Sequence, residues 1–256
     1  MDIAIEHPIK YRRWLPYWAV LGTDIRQTAR SWVYRLWVIL TVLVALGFLM
    51  YRFGITREAG IVQTAALSSM DLFRGIALAS LALIVVLTVS SISSERGTLA
   101  DSVLSRGISR YQYFLAKWHA RSLVIIVTFI LVSSIMLTAF HFLLADDLTL
   151  KGSAAAIVTV SALLMGVVAL GVAFGALTNS SVIGITLLWI LLYGSGILMT
   201  LVPSDIPTPE KALSRLPYVL RGEYNLNSLG EWIFGGVAVA VIAAIVGMIG
   251  FSRKDV

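Results

Sequence analysis

Residues 153–177 read SAAAIVTVSALLMGVVALGVAFGAL, a stretch without one charged side chain. A helix needs about 20 residues to cross a hydrocarbon core of roughly 30 Å, so this run can span a bilayer by itself. Its apolar residues are continuous rather than alternating, which argues against a barrel strand. In lipid the backbone amides must then be satisfied inside the segment, which leaves an α-helix. Working outward, similar runs recur along the chain, and of its 256 residues 58% are hydrophobic and 13% charged. An ordinary soluble domain carries about 25% charged residues. The expected class is an all-α integral membrane protein with six transmembrane helices, at about 34–53, 73–94, 121–144, 153–177, 181–202 and 231–252.

These spans organise residues 1–256 as one transmembrane domain, with a lead over 1–33, a cytosolic loop over 95–120 and an external loop over 203–230. An even number of spans places both termini on one side. With that side cytoplasmic, the inner set is Lys10, Arg12, Arg13, Arg26, Arg30, Arg35, Arg96, Arg106, Arg110, Lys117, Arg121, Arg253 and Lys254, thirteen of the 20 lysines and arginines. The excess of inner positive charge orients the chain. The same placement explains the net charge of +6 without nucleic acid, which is not expected as a partner. Trp32, Tyr34, Trp37, Trp118 and Trp232 fall at the proposed interfaces, where an amphipathic ring is well accommodated, although packing aromatics would look the same. The first strong apolar run begins near Leu36, too late for a secretory signal.

Ahead of the first span, Pro16 can open a helix, and Trp18, Leu21, Ile25, Ala29 and Trp32 recur at three- and four-residue steps, with Asp24, Arg26, Gln27 and Arg30 opposite. This describes an amphipathic helix on the inner membrane surface or, alternatively, a cytosolic extension of span one. In the loop after span two, Thr98 can cap a short helix, Asp101 stands where a capping box places its acid, and Gly107 can end it. Leu99, Val103 and Leu104 then share a face beside Arg106 and Arg110, an apolar knob suited to a partner's groove or to the membrane interface. In the external loop, Thr208-Pro209-Glu210 reads as a cap, a first-position proline and a first-turn acid, and Pro217 is expected to stop a short surface helix.

The chemistry that is missing is also informative. There is no cysteine, and no Gly-x-x-x-x-Gly-Lys-Ser/Thr phosphate loop occurs, so any ATP must be used by another chain. His7, His119 and His141 are too dispersed for a metal site, and no cofactor is expected on this chain. Tyr193-Gly194-Ser195-Gly196 hints at an intramembrane serine nucleophile but has no neighbouring base, and small residues for close helix contact are the simpler reading. The same reading covers Gly171, Gly175 and the Gly236, Ala240, Ala244 series. The expected span interiors contain no Asp, Glu, Lys or Arg, which disfavours an ion-coupled carrier. They do contain Ser80, Thr88, Ser90 and Ser91 in span two and Thr186, Trp189, Tyr193 and Ser195 in span five, a mildly polar lining suited to amphipathic cargo.

The run Glu95-Arg96-Gly97-Thr98-Leu99, then Leu104-Ser105, Ile108-Ser109-Arg110 and Lys117, resembles the signature of type-2 ABC transporter permeases. Asp24-Ile25-Arg26 and the closing Phe251-Ser252-Arg253-Lys254-Asp255-Val256 resemble that family's pre-span helix and tail. This chain differs from many members in carrying Ser94 and Arg96 around Glu95, and Gly107-Ile108 where a proline is common. The resemblance implies a dimer with a second copy or a related permease, in a prokaryotic plasma membrane, driven by ABC ATP-binding subunits that hold ATP and magnesium. It implies docking through the 98–106 helix and the pre-span helix, with Glu95, Arg96, Gly97, Thr98, Leu99, Val103, Leu104, Arg106 and Arg110 as coupling residues and Trp18, Leu21, Ile25 and Arg26 on the pre-span helix. It also implies that helices two and five face the translocation route, which makes Thr88, Thr186, Trp189 and Tyr193 candidate lining residues. A membrane anchor that recruits a cytosolic complex without transport would share the same loop.

Overall fold

Apolar sequence that must satisfy its own backbone becomes long helix, and the described residues form little else. The computed structural model describes residues 14–58, 64–93, 108–144, 147–200 and 208–253, with all their side chains except those of 79 and 197–200. Nine helices form among the described residues: α1 (Leu15–Arg30), α2 (Trp32–Glu58), α3 (Ala65–Ser93), α4 (Arg110–Leu143), α5 (Leu150–Leu177), α6 (Ser181–Thr200), α7 (Pro209–Ser214), α8 (Leu216–Arg221) and α9 (Leu226–Arg253). Five of them, α2, α3, α4, α5 and α9, are long and apolar enough to cross a membrane. The expected span at 181–202 corresponds to α6, a shorter apolar helix. Several helices outrun the expected spans. The 34 residues of α4, at 1.5 Å each, reach about 51 Å, well beyond a hydrocarbon core.

Helix α5 is the centre of the bundle, packed against α3, α4, α6, α8 and α9. Small residues make this possible, because without a hydrophobic drive between helices in lipid, close backbone approach supplies the attraction. A Cβ at Gly171 would run into the Thr88 side chain, and one at Gly175 into the Val89 carbonyl of α3. On the opposite side, a Cβ at Gly236 of α9 would lie 2.7 Å from the Ala162 carbonyl oxygen, and one at Gly247 2.8 Å from Ala173. The glycines of the Tyr193–Gly196 stretch behave differently. A Cβ at Gly194 or Gly196 would meet nothing within 4 Å among the described residues, so neither serves a close contact there.

At the bundle end opposite α1, a polar clasp joins loops and helices. Asp147 accepts from the Ala66 amide at the start of α3 and from Arg221 Nε at the end of α8, both at 2.8 Å. Arg221 also reaches Thr64. Thr149 caps α5 through the Gly152 amide, and its own amide donates to the Leu220 carbonyl at 2.9 Å. Gly222 ends α8 with φ +84°, a left-handed conformation that glycine adopts without a Cβ clash.

Two expectations for this end are corrected. Thr208 does cap α7, accepting from Lys211. Pro217, however, does not stop a helix; it lies in the first turn of α8, where its missing amide proton costs nothing. Nor do these short helices simply lie on a surface, because Ala212, Leu216, Val219 and Leu220 are buried against the core. Among the proposed interfacial aromatics, Trp37 and Trp232 are core residues, whereas Trp32 is 73% exposed. Tyr34 bonds to Thr128 of α4 at 2.8 Å.

Candidate functional site

The segment at 95–106, which carries Glu95, Arg96, Gly97, Thr98, Leu99, Val103, Leu104 and Arg106, lies outside the described residues. Its exit, at the start of α4, is described. Ser109 and Gln112 close a capping box there: the Ser109 hydroxyl accepts from the Gln112 amide at 3.2 Å, and the Gln112 side chain accepts from the Ser109 amide at 3.3 Å. Two otherwise unsatisfied amides are paired, so the helix begins at a defined residue.

From that point Arg110, Tyr113, Lys117 and Arg121 follow at three- and four-residue steps and share one side of α4. Each holds something. Arg110 donates to the Ser252 carbonyl at 3.1 Å, placing a cation on the C-terminal end of α9, the favoured sign for a helix dipole. Tyr113 stacks on Phe251 with ring centres 5.9 Å apart. Lys117 Nζ donates to Asp24 Oδ1 at 2.7 Å and lies 5.6 Å from the Tyr113 ring centre. Arg121 meets the same carboxylate, with Nη2 at 3.4 Å from Oδ1 and Nε at 3.3 Å from Oδ2.

This cluster is inside the protein. The side chains of Asp24, Lys117 and Arg121 are 1%, 4% and 7% exposed. Burial of charge is tolerable only with opposite charge and hydrogen bonds around it. Ala116 and Ala120, both fully buried, let α1 approach closely, and Leu21 packs between them with Tyr17, Val20 and Ile25 alongside. Thr28 donates to the Asp24 carbonyl at 2.6 Å. Farther out, the Tyr17 hydroxyl lies 2.9 Å from His119 Nδ1, and burial pushes the Tyr17 phenol pKa up.

The placement of Asp24 corrects the sequence reading, which put it on the polar face with Arg26, Gln27 and Arg30. Helix α1 has three sides rather than two. Leu21, Asp24 and Thr28 face α4; Arg26, Gln27 and Arg30 are exposed; Trp14, Leu15 and Trp18 are exposed apolar residues. Of the pre-span residues singled out, Leu21 and Ile25 meet α4, while Trp18 and Arg26 do not. A weak signal was available, since Asp24 stands one turn from both Leu21 and Thr28, but its partners are 93 and 97 positions away.

The four candidate pathway residues do not share one surface of this chain. Thr88 is completely buried between α3 and α5, with its hydroxyl donating to the Ile84 carbonyl at 2.8 Å. Thr186 and Tyr193 are exposed on α6. Trp189 is partly covered by α3 through Val85 and Val89, and its ring centre lies 5.0 Å from that of Tyr193. Its indole Nε1–H is buried without a hydrogen-bond partner among the described residues. The Ser195 hydroxyl donates to the Leu192 carbonyl at 3.0 Å, a local bond rather than an activating one. Among the described residues no three His, Cys, Asp or Glu side chains form a metal-binding group.

No curated protein matches the chain. A family model described as ABC-2 family transporter protein matches residues 62–250, which include α3 to α8, most of α9 and the whole 95–106 segment. Since that match covers well over half of the chain and agrees with its long apolar helices, the protein belongs to the ABC-2 family of transporter membrane components.

Proposed function

We propose that this chain is the permease half of an exporter, crossing a prokaryotic plasma membrane six times with both termini in the cytoplasm and pairing with a second permease. Membership of the ABC-2 family implies an ATP-binding partner subunit, and ATP and magnesium belong to that subunit. In this reading the partner docks on the apolar face of Leu99, Val103 and Leu104 and moves the start of α4.

The observation that supports the reading most directly is the cluster of Asp24, Lys117 and Arg121. Helix α4 leaves the docking segment with its first turns tied to α1 by buried charge and to the end of α9 by Arg110 and Tyr113. A force applied at residues 95–106 is therefore delivered to three helices together. Packed helices transmit displacement because their interfaces switch between arrangements rather than deform smoothly. Amphipathic cargo suits the exposed aromatic and hydroxyl groups of α6, with Trp189, Tyr193 and Thr186 nearest the route.

Copurification tests the partner. The tagged chain, expressed with its candidate ATP-binding subunits, is expected to bring one down in stoichiometric amount; failure at every expression ratio overturns the proposal. Reconstitution of that complex in liposomes then separates a permease from an anchor, since ATP-dependent movement of cargo is expected only of the former.

A further inference from the structure

The only acidic side chain of α1 is turned inward to Lys117 and Arg121, so the exposed side of the helix has cations without acids. Arg26 and Arg30 stand one turn apart on that side, and among the described residues neither has a carboxylate partner. With Thr23, Gln27 and Ser31 they line a shallow groove of about 540 Å³. The groove ends at Ser31, where the chain turns into α2. Ser31 has extended backbone, and its hydroxyl donates to the Thr28 carbonyl at 2.8 Å and accepts from the Tyr34 amide at 3.3 Å. Arg35, also exposed, follows in the first turns of α2.

The neighbouring side of α1 carries Trp14, Leu15 and Trp18, which are 59%, 64% and 65% exposed, and Trp32 at the elbow is 73% exposed. Large exposed apolar groups beside exposed arginines are what a helix lying at the boundary between acyl chains and headgroups requires. The guanidinium forks then stand at headgroup level, where a phosphodiester can accept two hydrogen bonds from one fork.

We propose that the Arg26–Arg30 groove is a binding site for the anionic headgroups of phospholipids in the leaflet on which α1 lies. Charge complementarity selects the occupant: two arginines, a glutamine amide and, among the described residues, no acid favour a phosphate that keeps its net negative charge over a zwitterionic headgroup. A bound lipid would hold α1 against the membrane from one side while Asp24 holds it to α4 from the other. The inference rests on α1 lying at an interface and not on the transport reading, so the two fail separately.

The full chain, with its partner where one is found, is placed in nanodiscs of mixed phosphatidylcholine and phosphatidylglycerol, and the lipids retained after mild extraction are counted by mass spectrometry. The wild type is expected to enrich phosphatidylglycerol over the bulk ratio. The double variant Arg26→Gln, Arg30→Gln is expected to lose that enrichment, by about fivefold for each arginine at low ionic strength. Arg26→Lys, Arg30→Lys is expected to retain most of it, which separates lost charge from lost fold. Excess inorganic phosphate is expected to leave the enrichment in place. Retention at the bulk ratio by the wild type, undiminished enrichment in the glutamine variant, or displacement by free phosphate would overturn the proposal. So would a glutamine variant that keeps its lipid and loses the ATP-binding subunit, because the groove would then belong to the protein partner.

Discussion

Asp24 is where a single residue has the largest consequence. Substituting Asp24→Ala removes the carboxylate that Lys117 and Arg121 share and leaves both cations in a buried site. The expected loss is about 3–5 kcal/mol, the cost of taking away one side of a buried ion cluster. Measured as melting temperature in detergent, Asp24→Ala should be strongly destabilised, while Gln27→Ala, one turn away and exposed, should melt like the wild type. Equal melting of the two variants would mean that the cluster carries no stability. Sequence periodicity could show that Asp24 lies on a helix but not which flank is covered. That depends on Ala116 and Ala120, which leave room for α1 beside Lys117, and no local pattern connects residues so far apart.

At the scale of elements, glycine in α5 decides how near α3 can come. A Cβ at Gly175 meets the Val89 backbone, which cannot rotate away as a side chain could. Gly175→Leu is therefore expected to cost about 1–3 kcal/mol through overpacking. Gly194→Leu, in a helix position with open space around it, is expected to be nearly neutral in the isolated chain. Size-exclusion recovery and melting of the two variants check this, and a well-behaved Gly175→Leu protein would show that α3 and α5 separate without penalty. The small-residue pattern was legible as a packing signal, but its partners were not. Gly171 and Gly175 pack as that pattern suggested, whereas Gly194 and Gly196 share the composition and have open space beside them among the described residues. Pro217 is a similar case: a proline near a helix boundary fits either end of a helix, and the turn at Arg215 made it a beginning.

For the whole molecule, the proposed function turns on coupling. Leu104→Asp places a charge in the apolar sequence of the segment proposed to dock, where burial of an unpaired carboxylate would be costly. The variant should insert and fold normally while ATP hydrolysis in the reconstituted complex no longer drives transport. Transport per ATP equal to that of the wild type would show that docking occurs elsewhere. Because α4 is tied to α1 and α9 at the same end of the bundle, weakening the tie through Lys117→Met should also reduce transport per ATP with partner binding preserved. That combination is not expected of a pure anchor, which has no stroke to lose.

Composition and run length by themselves determined that the protein is helical and lives in lipid, because an amide in hydrocarbon has no partner except its own helix. The sequence also contains no Gly-x-x-x-x-Gly-Lys-Ser/Thr motif, a local fact that needs no tertiary structure. Tertiary structure alone decided that Trp37, Trp232 and Leu220 are core, that Thr88 is sealed against α5, and that the acid of α1 lies beneath it rather than in water. These are facts about which helix lies beside which, and in lipid that choice turns on close packing and a few buried charges between residues distant in the chain.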